Sequence, residues 1–101
     1  MVFRKIYWVV EETRQDERAV VGVFTSNSDL IDRYLTEIGA DRPDSFQISL
    51  VKLDKVRGVL GTWSSPDFEG LRTDLDDYIA TGEFSIDECD QICHQLIGVY
   101  A

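Results

Sequence analysis

The chain has 101 residues, enough for one domain with a modest core. Its 19 acidic residues against 10 basic ones give a formal charge of −9. That balance excludes nucleic-acid backbones and anionic membranes as partners, because both are held by Lys and Arg that displace counterions, while the 44% hydrophobic content excludes charge-driven disorder.

The first apolar run, Ile6 to Val10 (I-Y-W-V-V), is β-branched and aromatic throughout, which predicts a central strand covered on both sides. Glu11 to Arg18 contains no apolar residue and reads as a solvated hairpin connection. Ala19 to Phe24 then pairs back on the first strand, with Gly22 marking a bulge or a close backbone approach.

A helix follows, with Ser26 as N-cap and Asp29 at the positive end of its dipole. Leu30, Ile31, Tyr34, Leu35 and Ile38 recur at helical spacing as one apolar stripe. Gly39 is expected to stop the helix in the left-handed conformation. After a turn-rich connector at Ala40 to Ser45, Phe46, Ile48 and Leu50 alternate with polar residues as a half-buried strand. Val56 to Trp63 is a further candidate strand, interrupted by Gly58 and Gly61.

The hairpin ending in Gly22-Val23-Phe24-Thr25-Ser26 and running straight into a helix resembles a group of small, uncharacterised bacterial and phage ββαβ proteins that carry a G-V-F-[ST]-S motif there. The similarity spans Phe3 to Leu53, and it implies a fold without implying catalytic residues. Ser65-Pro66 reads as a second helix start, Ser at the N-cap and Pro at the first helical position. The apolar face of that helix is Phe68, Leu71, Leu75, Tyr78 and Ile79. Thr81-Gly82 ends it, and Ser85 to Glu88 forms a capping box, with Phe84 stapling onto Cys89. The last helix carries Ile86, Cys89, Cys93, Leu96 and Tyr100 on one stripe, flanked by Ile92 and Ile97. The expected fold is α+β: an antiparallel sheet of three or four strands with one helix packed on it, followed by a C-terminal helical hairpin. Residues 1–63 form a ββαβ(β) core and 64–101 the helix-turn-helix.

Four chemistries are open to these residues. The loop Asp77 to Glu88 resembles a degenerate EF-hand, with Asp77, Thr81, Ser85 and Glu88 at ligand positions around Gly82, but Ile79 stands where a third carboxylate or amide belongs. A glycine stop and a capping box explain the same residues without metal. Cys89, Cys93 and His94 fall short of the four ligands that zinc takes, and both cysteines lie on an apolar stripe. Acid-base catalysis has a single histidine, His94, to use with Ser64 or Ser65, and no nucleophile-elbow sequence supports it. Gly58-Val59-Leu60-Gly61 matches an RNA-binding glycine loop in form only, its centre being apolar.

The function expected from composition is therefore that of a non-enzymatic protein-binding or regulatory module without a cofactor, contacting a basic partner. Its contact residues would be Asp74, Asp76, Asp77, Asp87, Glu88 and Asp90 on the helical pair, with Trp63 as a half-exposed anchor. A divalent-metal site and a small-ligand pocket are the alternatives, and a homodimer through a sheet edge is also open. The first apolar run is too short for a signal peptide and nothing approaches transmembrane length, so the expected location is cytoplasmic.

Overall fold

The structure, a computed structural model, describes residues 6–82 and 84–100, with side chains through residue 96. Four strands, β1 (Ile6–Arg14), β2 (Glu17–Phe24), β3 (Ser45–Lys52) and β4 (Val59–Ser64), form one antiparallel sheet in the order β2-β1-β3-β4. Three helical pieces, α1 (Asn27–Asp29), a π-helical turn (Leu30–Leu35) and α2 (Thr36–Ile38), run on without a break as the first helix. The C-terminal pair is α3 (Leu71–Ala80) and α4 (Ile86–Tyr100). The α+β architecture expected from periodicity is the one observed.

β1 is central, but among the described residues only one of its faces is covered by helices. Its burial alternates strictly, with Ile6, Trp8, Val10 and Glu12 buried and Tyr7, Val9, Glu11 and Thr13 half-exposed. All helices therefore lie on one side, and the unbroken apolar run in the sequence reflects β-propensity more than two-sided cover.

The supposed connection Glu11 to Arg18 is strand on both sides of a two-residue turn. Gln15 and Asp16 both have positive φ, 53° and 66°, the geometry whose twist suits a tight hairpin. The hairpin thus extends past the apolar core, where side chains are polar but backbone pairing continues to Arg14↔Glu17. Val21 is the extra residue of a bulge between Val10 and Glu11, and the Phe24 ring lies over Gly22, where a Cβ would sit 2.7 Å from the ring. Phe3 to Lys5, the first residues of the stretch that carries the resemblance, lie outside the described residues.

Ser26 caps the first helix, its Oγ accepting from the Asp29 amide at 3.1 Å. The whole stripe Leu30, Ile31, Tyr34, Leu35 and Ile38 is buried against the sheet. The π turn is visible at Thr36, whose amide donates to the Ile31 carbonyl. Gly39 departs from expectation: its φ of −61° is right-handed, so no left-handed stop occurs there. β4 begins at Val59 rather than Val56, because Leu53 to Gly58 is a connection with positive φ at Asp54 and Arg57.

The helix expected at Ser65-Pro66 starts at Leu71 instead, after Gly70 in the left-handed conformation. Ser65 is engaged elsewhere, its Oγ accepting from the Phe46 amide at 2.8 Å and its own amide donating to the Phe46 carbonyl. α3 ends as expected on Gly82, φ 81°, whose amide donates to the Ile79 carbonyl. The core centres on Trp8, which stacks on Phe84 at 6.0 Å and tilts against Trp63 at 6.1 Å. Cys89, Ile92 and Leu96 bury one face of α4, whereas Ile86 is 57% exposed, off the stripe assigned to it. The side chains of Ile97 and Tyr100 lie outside the described residues.

Candidate functional site: the acidic helical pair

Residues 71–96 hold seven acidic residues and one arginine, a net of −6, while the other 75 residues of the chain carry −3. The charge is therefore concentrated on α3, α4 and the loop between them. Both helices enter with carboxylates in the first turn, Asp74 on α3 and Asp87 and Glu88 on α4, where the helix dipole favours negative charge.

Several of the expected contact residues are engaged within the fold. Arg72 bridges the two helices, donating from Nε to Asp76 at 3.1 Å and from Nη1 to Asp90. Hydrogen bonds to those two carboxylates hold its guanidinium more firmly protonated than usual. Asp74 accepts from Trp63 Nε1 at 3.0 Å. Glu88 accepts from Asn27 Nδ2, and Asn27 Oδ1 accepts from Trp8 Nε1 at 2.6 Å. Asp77 and Asp87 are exposed. Trp63 is only 4% exposed, so it is a core residue and the half-exposed anchor expected from the sequence does not exist.

The loop between α3 and α4 is folded as a helix stop followed by a helix start, which departs from the calcium-loop reading. Asp77 lies inside α3, three residues before its end. Thr81 Oγ1 donates to the Tyr78 carbonyl, Ser85 Oγ accepts from the Glu88 amide, and the Glu88 carboxylate reaches away to Asn27. The Ser85 side of the capping box forms, and the Glu88 carboxylate also bonds across the fold. Among the described residues no group of three or more His, Cys, Asp or Glu side chains converges as a metal site.

The thiols and the histidine are also apart from any reactive arrangement. Burial pushes the Cys89 thiol up to about 11, and burial raises Cys93 as well, so neither is a ready thiolate. His94 is exposed on α4. Ser64 Oγ donates to Gln47 Oε1 and Ser65 Oγ serves Phe46, so neither hydroxyl is directed at the imidazole.

Sequence reasoning missed two polar clusters that span the fold. In one, Asn27 links Trp8 on β1 to Glu88 on α4. In the other, buried Glu12 accepts from Tyr34 Oη at 2.6 Å and from Arg14 Nε at 3.1 Å. Hydrogen bonding to Glu12 is the largest of the contributions that raise the Arg14 pKa. Arg14 also reaches the Asp41 carbonyl at 3.0 Å, which fastens the hairpin to the end of the first helix. A cavity of about 140 Å³ opens beside this cluster, lined by Val21, Tyr34, Glu37, Ile38 and Asp41 with Glu12 and Arg14. That is below the roughly 300 Å³ at which small-molecule pockets begin. No signal for these clusters was available, since a polar residue in a sequence does not reveal its long-range partner.

Comparison with protein-family models, curated proteins and solved structures finds no match for this chain.

Proposed function

We propose that this chain is a non-enzymatic protein-binding module whose acidic helical pair contacts a basic partner. The observation that carries the reading is the net −6 on residues 71–96, of which Asp77 and Asp87 are exposed without an ion pair to Arg72. Two further carboxylates, Asp76 and Asp90, are exposed on the same pair of helices and held in place by Arg72. Fixed charges of one sign steer an oppositely charged partner and select its orientation more than they raise affinity. Among the described residues, cavities of about 140 and 110 Å³ and the separation of His94 from Ser64 and Ser65 favour a surface function over a pocket or a reactive centre.

The test is affinity capture from native lysate at 50 and 300 mM salt, with the natural chain and with Asp77→Lys/Asp87→Lys. A basic protein retained at low salt, released at high salt and absent from the doubly substituted bait supports the proposal. A captured set indifferent to salt and to both substitutions contradicts it.

A further inference from the structure

We infer that the uncovered face of the sheet is the surface on which two copies of this chain pair, sheet against sheet. Strand registers put Val23, Val9, Ser49 and Thr62 in one row across this face and Tyr7, Val51 and Val59 in the next. Val20, Val23 and Val59 are 57%, 59% and 59% exposed, although every helix packs on the opposite side. Ser49, 8% exposed between its larger neighbours, and Thr62 satisfy each other through a hydroxyl contact of 3.2 Å, so neither hydroxyl needs a partner from outside.

Charge distribution decides what this face fits. Among the described strand residues it carries Glu11 and Arg18 alone, and these pair with each other at 2.6 Å. On a chain of net charge −9, a neutral face offers nothing to the basic partner that the helical pair would attract. It suits a second neutral sheet face of the same composition, and a further copy supplies one.

The geometry also lets two acidic copies approach. With helices about 10 Å outside each sheet and two sheets about 10 Å apart, the acidic layers of the pair lie about 30 Å from one another. That is more than three Debye lengths at physiological salt, about 8 Å each. Pairing through the helices would instead bring two layers of −6 to within about 10 Å. The sheet face is thus the side on which self-association costs least electrostatically.

Four strands spaced about 4.8 Å apart and six to nine residues long present roughly 400–550 Å² per copy in projection. Both copies together come close to the roughly 1,000 Å² at which specific interfaces begin. The pair is therefore reversible and concentration-dependent, with self-packing at the small angle of aligned β-sandwiches.

Sedimentation velocity on the full chain from 2 to 200 µM, in 50 and 500 mM salt, tests this. The expected result is a monomer–dimer equilibrium that tightens or holds as salt rises, since added salt screens the residual repulsion between copies. Val23→Lys on β2 and Val59→Lys on β4 occupy opposite edge strands, and each alone should weaken dimerisation at least tenfold. Unchanged circular dichroism and melting temperature would show that both variants fold. A monomer throughout the range overturns the inference. So does a dimer that responds to one of the two substitutions and not the other, because that dimer pairs through a single strand edge. A dimer that weakens with salt overturns it too and points to the charged helical surface instead, which keeps this outcome distinct from the fate of the proposed basic partner.

Discussion

Asn27 is 3% exposed and has both ends of its amide occupied, one by the Trp8 indole and one by the Glu88 carboxylate. It joins the central strand, the first helix and the last helix through a single side chain. Replacing it with alanine would strand a buried indole N–H and remove one of the donors to the Glu88 carboxylate. Asn27→Ala should lose roughly 1–3 kcal/mol in urea denaturation, the scale of leaving one buried donor, the Trp8 indole, unsatisfied. A loss below about 0.5 kcal/mol would mean that water replaces the amide without penalty. Cys89 gives a second prediction at this scale. Its folded thiol titrates near 11 because it is buried, whereas in an unfolded chain a thiol titrates near 8.5–9. Above the lower value the unfolded state ionises first and binds fewer protons, so stability is intact below about pH 8 and falls as pH rises toward 11. Cys89→Ala should remove roughly 2 kcal/mol of the fall seen between pH 8 and 11, read from denaturation curves at each pH. An identical slope in both proteins would locate the loss elsewhere. Neither residue's role could be read in advance: the cysteine stripe was legible, but the partner of Asn27 lies 61 positions away at Glu88.

At the level of elements, features set by local period were legible and features set by distant partners were not. The stripe from Leu30 to Ile38 is buried as a unit, and the Ser26 cap forms because it depends only on the next three residues. Ser26→Ala should therefore cost about 1 kcal/mol, measured by thermal or urea unfolding. Ser65 shows the opposite case. It has the same local signature as a cap, yet its hydroxyl is taken by Phe46 and the helix waits for Leu71. The hairpin departs from its sequence pattern for a related reason: Glu12 is buried and bonded by Tyr34 from the helix, so a charged run is strand without any apolar alternation. Gly82 was legible as a helix stop, because a positive φ there needs only its immediate neighbours. The calcium resemblance around Gly82 reduces to that stop and to the Ser85 start. Adding 5 mM calcium should leave the melting temperature unchanged, and a rise of several degrees would reinstate a bound ion.

Across the whole molecule the acidic surplus sits on one side of the sheet and the neutral face on the other. Self-repulsion within the helical layer opposes compaction, and the ion pairs of Arg18, Arg33 and Arg72 are all at the surface. Raising salt from 50 to 500 mM should therefore increase the melting temperature modestly, since screening relieves more repulsion than attraction. A decrease would show that those surface pairs outweigh the surplus charge. No helix among the described residues is long and apolar enough to cross a membrane.

Helices on one side and a bare sheet on the other also govern what a back-to-back pair could hold. Its two acidic layers would look in opposite directions, so one ligand could not be gripped by both at once and no avidity would arise on a short target. Such a pair would instead work as a linker, carrying one cationic molecule at either end and holding them a fixed distance apart.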